Sequence, residues 1–552
     1  MRGGTSAEAS ARGGGLVAWA LAAGLVAAVA LAYANALGND FVFDDFLLIV
    51  DQPGVRVPLA EGWSGLGYRP LRMLSYRLDY ALGGMEPWVF HLGNVVYHAV
   101  TTLLVAGALR ALGTSVWAAA AGALIFAVHP VQTDAVTYAS GRRDVLCGLF
   151  FVAGFLAYRR HRAGGSWAAL VLAAGAWCLA LLAKEMAVTL PVVCVLADLL
   201  DRRRAPRAAA GRGRGARLAV GVALIAGVGA VVLATTSYLP FLERTLARTP
   251  WHGGGIEGNF ATVARIWLHY LGLVLWPATL AADYRAGAFR VSTGFHDPAA
   301  LAALAVLALV AVAGWWLWRR GRLAGLGLAW IAVTLLPVSH LVPYVELLAE
   351  HYLYMPMVGV ALIVADAVDA AARVPARRPV AAAVVLAVAA ALTARTVVRN
   401  RDWRDGVTLW EATVAAVPEG ARARFNLGEA YLREGRFADA ARAWDEGAAR
   451  YPRAVPFRMA LAKLAYREGD YERAYAGIKR VLRLEPDDAG ALTLAGWISL
   501  HGGYHPRRAR AFFDAALARL PIARAGEAAI GRARAQQALD DAARPAAGER
   551  PS

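Results

Sequence analysis

The sequence predicts an all-α membrane protein in two parts: a polytopic helical bundle over residues 1–400, then an α-solenoid of helix–turn–helix repeats over 401–540. Three observations carry this. Apolar runs of spanning or near-spanning length crowd residues 16–398 of a 552-residue chain that is 58% hydrophobic, with mean hydropathy +0.43. Basic clusters separate those runs and fall on one face. After residue 400 the composition becomes that of a soluble protein, and Pro418, Pro452 and Pro486 recur 34 residues apart.

The apolar runs lie at 16–37, 88–110, 115–130, 145–158, 166–183, 186–200, 218–239, 299–318, 323–339, 352–372 and 379–398. The first lacks a small-residue cleavage pattern and reads as an uncleaved helix. Arg2 and Arg12, Arg110, YRRHR (158–162), DRRRAPR (201–207), RGRGAR (212–217), RRGR (319–322) and RVPARR (373–378) all fall on the cytoplasmic side if the runs alternate. Residues 260–282 break the alternation, so they read as an interfacial or re-entrant segment broken near Pro277. About eleven crossings result, with the C-terminal part outside the cytoplasm. The net charge of +17 is therefore a topology signal, and no basic face for nucleic acid is evident. Cys147, Cys178 and Cys194 sit in apolar segments, as buried thiols rather than disulfides or metal ligands.

In the last third, residues 426–452 and 461–486 share one register of small and large residues, with Gly428, Gly435 and Ala440 expected at helix crossings. A third copy at 494–521 needs one inserted residue. This is the tetratricopeptide pattern, with units near 421–454, 455–488 and 489–522. Arg401–Pro418 reads as an incomplete leading helix, 523–540 as a cap and 541–552 as a disordered tail. Such repeats can offer a concave peptide-binding surface or serve only as a spacer.

The same threading puts the unusual polar motifs on the outer face: FVFDDF (41–46), YRPL (68–71), HPVQTDAV (129–136), GRRD (141–144), AKE (183–185), ADY (282–284) and AEHYLYMP (349–356). Moving a sugar from a lipid phosphate to a hydroxyl needs a base for the acceptor proton and cations for the phosphate. Asp44 and Asp45 are candidates for the base, each raising the other's proton affinity. The alternative is that both cap the segment that follows; metal binding by the pair has no visible third ligand and is not favoured. Arg69, Arg142, Arg143 and Lys184 are candidate phosphate ligands, with Asp144 and Glu185 as positioned partners, although any one cation can instead meet lipid headgroups. His129 and His351 are weaker candidates; Asp283, Glu346 and Glu350 line an acceptor path or cap helices.

The order FVFDDF, YRPL, HPVQTDAV, GRRDVL, AKE, EHYLYMP, then repeats, resembles the transmembrane-and-tetratricopeptide-repeat O-mannosyltransferases of the GT-C superfamily and their bacterial relatives. The resemblance implies inverting transfer of a sugar, mannose or another hexose, from a polyprenyl-phosphate donor to Ser or Thr of an exported protein. It makes Asp44–Asp45 the catalytic motif. Arg69, Arg142, Arg143, Lys184 and His351 would then meet the donor phosphate, with His129, Asp134, Asp144, Glu185, Asp283 and Glu350 supporting. Gln132 and Asp134 stand where relatives tend to carry a His and a Glu, and His351 where an arginine is expected. The Ala, Arg and Gly content suggests a bacterial inner membrane with periplasmic repeats. Two other classes compete. A membrane-anchored repeat scaffold would leave the outer motifs idle, and a lipid flippase should carry its charges nearer mid-membrane.

Overall fold

The computed structural model describes residues 4–62, 66–67, 69–204, 227, 249–285, 287–341, 343–344, 346–503, 505–521 and 524–543, and among them every regular element is helical. The expected span at 218–239 (Gly227 apart), the RGRGAR loop, Tyr68 and tail residues 544–552 lie outside the described residues. The chain divides into two compact units: Met1–Arg285 with Phe289–Ala416, and Ala286–Ala288 with Val417–Ser552.

The first unit contains α1 (Gly4–Tyr33), α2 (Pro70–Gly83), α3 (Pro87–Ala111), α4 (Val116–Val128), α5 (Thr133–Val136), α6 (Arg142–Arg162), α7 (Trp167–Ala183), α8 (Leu190–Arg204), α9 (Ile256–Leu275), α10 (Pro298–Arg319), α11 (Leu323–Leu335), α12 (Pro356–Ala372), α13 (Arg378–Asp402) and α14 (Gly406–Ala416). Pro70, Pro87, Pro298 and Pro356 open their helices, where a missing N–H leaves nothing unpaired. Gly327 of α11 and Gly359 of α12 face each other so closely that a Cβ on either would strike the other's carbonyl oxygen. Helix α14, within the expected leading helix at 401–418, clusters with this unit, and its Val407, Leu409 and Trp410 are buried.

Among the described residues four stretches are long and apolar enough to cross a membrane: Gly15–Gly38, Pro87–Ala111, Pro298–Arg319 and Pro375–Asp402. The pair Val116–Val128 and Pro130–Val136, bent by 53° at the HPVQTDAV motif, makes a fifth if counted as one span. Trp167–Ala183 and Leu323–Val338 are shorter apolar helices. The ambiguous segment at 260–282 forms α9, which ends at Leu275, two residues before Pro277.

The second unit holds three helix pairs and a cap: α15 (Ala421–Arg433) with α16 (Phe437–Arg450), α17 (Val455–Arg467) with α18 (Tyr471–Leu484), α19 (Ala489–His501) with α20 (Pro506–Leu517), and α21 (Gly526–Ala543). Gly428 is a crossing, since a Cβ there would collide with the Trp444 ring, and Ala440 is fully buried. Gly435 is not a crossing: it sits in the turn at φ +75°, with open space around it. Gly469 (φ +79°) and Gly503 (φ +73°) repeat that turn at the same 34-residue spacing. The residue inserted in the third copy therefore falls between Gly503 and Pro506, where α20 begins.

Candidate functional site

The loop after α1 sets Phe43 at φ 54°, a left-handed conformation that costs a non-glycine residue about 1–2 kcal/mol. Aromatic contacts hold it there. The Phe43 ring stacks on Tyr138 (6.0 Å between centroids) and meets Trp410 edge-on at 5.0 Å. The backbone N–H of Asp44 donates to the Tyr138 hydroxyl at 3.1 Å.

This geometry separates the tandem aspartates. Asp45 is fully buried: Oδ2 accepts the Val42 N–H (3.0 Å), and Oδ1 accepts both the N–H (2.8 Å) and the hydroxyl (2.5 Å) of Ser140. Burial pushes its carboxyl up to about 7 against those donors, and the charge of Asp44 adds the smallest contribution. Mutual repulsion is thus not the main cause, contrary to the sequence expectation. Asp44 remains partly exposed and lies within electrostatic range of Arg285 and Tyr138.

The later motifs meet in an arc of alternating charge. Asp134, from the bend after α4, accepts the His351 backbone N–H (3.0 Å) and approaches Nδ1 at 2.8 Å. With Nδ1–H given to Asp134, Nε2 is left as the acceptor that faces the Arg143 guanidinium at 3.2 Å, with Glu346 at 3.8 Å. Arg143 also pairs with Asp144 at 3.3 Å, and the other Asp144 oxygen takes Lys184 Nζ at 2.5 Å. Lys184 lies over the Tyr352 ring at 4.8 Å. Arg69 joins Glu185 at 3.0 Å, and Tyr352 donates to Glu346 at 2.9 Å.

Sequence reasoning stopped one residue short of Arg285. Its guanidinium lies 3.3 Å from Asp283 and 3.9 Å from Glu346, and it couples to Asp44. The signal was the ADY motif itself, whose next residue is this arginine.

Three further expected site residues are buried with protein groups as their partners. Arg142 has no exposed side-chain surface. It pairs with Asp79 at 2.6 Å, donates to Asn94 and to Phe90 O, and lies over Tyr76 and Tyr97. His129 gives Nε2–H to Val274 O (3.0 Å) and accepts the Val131 N–H at Nδ1 (3.3 Å), so neither nitrogen faces the arc. Glu350 is buried beneath the arc. It accepts from Ala281 N (2.6 Å) and Tyr284 OH (2.7 Å) and lies 3.7 Å from Arg399.

Burial raises the Glu350 carboxyl to about 7 as well, with Arg399 opposing. Both Asp45 and Glu350 hold a proton more tightly when folded, so their stabilisation is complete below the ordinary carboxyl pKa of about 4 and is lost as pH climbs through 7. Detergent-solubilised protein should accordingly show a falling Tm from pH 5 to pH 8, and Asp45→Asn should flatten part of that slope. A Tm that rises across this window would contradict the assignment.

Profiles of the tetratricopeptide repeat match residues 392–457 and 431–498. Mouse protein O-mannosyl-transferase TMTC3 is 27% identical over 457 residues, covering 75% of this chain and 49% of the relative. Human TMTC4 is 27% identical over 489 residues, with 74% and 63% covered. Drosophila Tmtc1 is 38% identical over a shorter 197 residues, 32% of this chain and 23% of that protein. The chain spans about half the length of the first of these relatives. The crystal structure of ArnT from Cupriavidus metallidurans bound to undecaprenyl phosphate superposes over 84% of this chain and 78% of its own, at 15% identity and TM-score 0.37. Over three quarters of its length, then, the chain is similar to proteins named protein O-mannosyl-transferases, and residues 392–498 carry tetratricopeptide repeats.

Proposed function

We propose that this chain is an integral-membrane glycosyltransferase. It moves a hexose, mannose by likeness to its relatives, from a polyprenyl-phosphate donor to Ser or Thr of an exported protein, with inversion. The observation that carries the reading is the meeting of five distant motifs in one arc, beside the partly exposed Asp44. Asp44 is the general base for the acceptor hydroxyl, and Arg285 orients it. Arg143, Lys184 and Arg69 receive the donor phosphate as it leaves, exchanging their carboxylate partners for phosphate oxygens. His351, oriented by Asp134, positions Arg143 rather than meeting the phosphate itself, while Asp45 and Arg142 fix the loop and the start of α6.

An apolar groove of about 640 Å³ between α8 and α12 suits the isoprenoid chain; Trp267, Leu271, Leu307, Trp315 and Leu328 are among its walls. Tyr270 links groove to arc, because it lines the former while its hydroxyl accepts the Ala349 N–H at 3.2 Å, two residues before His351. A non-catalytic scaffold would need neither the arc nor the groove. The domain reading that goes with this places catalysis before residue 400 and leaves 401–540 to partners, on the periplasmic side of a bacterial inner membrane.

Glycoproteomics of the envelope fraction from cells with and without the chain tests the proposal. Single-hexose mass shifts on Ser/Thr peptides should be present only when it is expressed. Identical glycopeptide profiles would reject it.

A further inference from the structure

Glu346 stands in the arc without a part in the proposed transfer. It lies in the loop between α11 and α12, and its two oxygens face different neighbours. Oε1 lies 3.9 Å from the guanidinium of Arg285, a cation within electrostatic range of Asp44. Oε2 accepts the Tyr352 hydroxyl at 2.9 Å and lies 3.8 Å from His351 Nε2, which in turn faces Arg143 at 3.2 Å. The carboxylate thus sits between the proposed base and the proposed phosphate ligands. Tyr352 sets its spacing from them, since Lys184 lies over the face of that ring while the hydroxyl holds Oε2.

Two features separate Glu346 from the carboxylates around it. Its side chain is 24% exposed, against 2–5% for Asp134, Asp144 and Asp283. Its Oε1 also accepts no hydrogen bond among the described residues, because at 3.9 Å the arginine contributes charge and no bond. A carboxylate oxygen can accept two donors, so this capacity is unused in the resting chain. Glu185, at the Arg69 end of the arc, is more exposed still, but Arg69 donates to both of its oxygens.

Inverting transfer fixes what must lie beside Glu346. The acceptor oxygen bonds to the anomeric carbon as the bond from that carbon to the phosphate oxygen breaks. The electron pair leaves on the phosphate, toward Arg143 and Lys184, and the acceptor proton goes to Asp44. Attack and departure take opposite faces of the anomeric carbon, so a group between base and phosphate ligands meets the ring at that carbon or its neighbours. One neighbour is the ring oxygen, which has no proton to donate. The other is C2, which carries a hydroxyl.

The geometry points to Glu346 as the residue that reads the donor sugar, its Oε1 accepting the hydroxyl on C2. The assignment rests on the transfer reading and deepens it: the donor is a hexose with a free 2-hydroxyl. As positive charge grows at the anomeric carbon, that hydroxyl becomes a stronger donor, and its bond to the carboxylate tightens in the transition state. Such a contact raises turnover more than donor affinity. Counter-ion duty alone, to Arg285 and His351, would not depend on which hydroxyls the sugar carries.

The test uses the full-length chain in detergent, envelope protein from cells lacking the chain as acceptor, and two donors: polyprenyl-phosphate mannose and its 2-deoxy counterpart. Glu346→Gln should lower kcat for the mannose donor about 10–100-fold, with donor KM changed less than about threefold. For the 2-deoxy donor, kcat should fall less than about threefold. Glu346→Asp keeps the charge and withdraws the oxygens by one methylene, and it should show the same donor dependence at about tenfold. A matching fall with both donors would make Glu346 a counter-ion only and overturn the assignment, as would no fall with either. A parent that transfers neither donor removes the transfer reading itself, and this assignment with it. Tm shows whether a variant keeps its fold; should Glu346→Gln lose it, Glu346→Asp, closer in charge, carries the comparison of donors.

Discussion

Asp44→Asn is expected to lower the rate of sugar transfer by about 10²–10⁴, the usual contribution of a positioned base, with no loss of membrane insertion or thermal stability. The amide keeps the shape and loses the proton acceptor. Asp45, by contrast, is held in the fold by the three hydrogen bonds its oxygens accept from Val42 and Ser140. Asp45→Asn should act differently. It exchanges one acceptor oxygen for an amine amid donors, which loosens the loop, lowers Tm and reduces transfer as a consequence. Transfer rates and Tm measured for both variants separate the roles. If Asp44→Asn transfers at the parental rate, the base is elsewhere.

The largest stability effect is expected at Arg142. Truncating it to leucine leaves the Asp79 carboxylate buried without its 2.6 Å partner, and a broken buried pair typically costs about 3–5 kcal/mol. Replacing both residues by leucine should restore much of that loss, because an apolar pair carries no desolvation penalty. A phosphate ligand would behave in the opposite way: Arg142→Leu would fold normally and lose donor binding. Equilibrium unfolding in detergent for the single and double variants, alongside donor binding, decides between them.

The repeats were legible because their period is a property of sequence. Pro418, Pro452 and Pro486 mark it, and Gly435, Gly469 and Gly503 mark it again. What Gly435 does was not legible: small residues suit crossings and left-handed turns alike, and only the backbone angle separates the two. The arc was legible in its residue types, since each acid–base motif stood out against apolar surroundings. Its division of labour was not. Asp44 and Asp45 are neighbours of identical chemistry, and the turn at Phe43 sends one inward and leaves the other partly open. Arg142 and Arg143 are likewise adjacent at the start of α6, where successive side chains point about 100° apart, so one is sealed in the interior while the other reaches His351. Tertiary facing, absent from a linear string, made that choice.

In the resting chain Lys184 stands against Asp144, and Arg69 against Glu185. On the proposed reading the sugar donor, like the bulk phospholipids, carries a phosphodiester of single charge, and its phosphate gains a second charge only as the sugar departs. Carboxylates already in place would leave these cations weakly open to a resting diester and turn them toward the charge that develops during transfer.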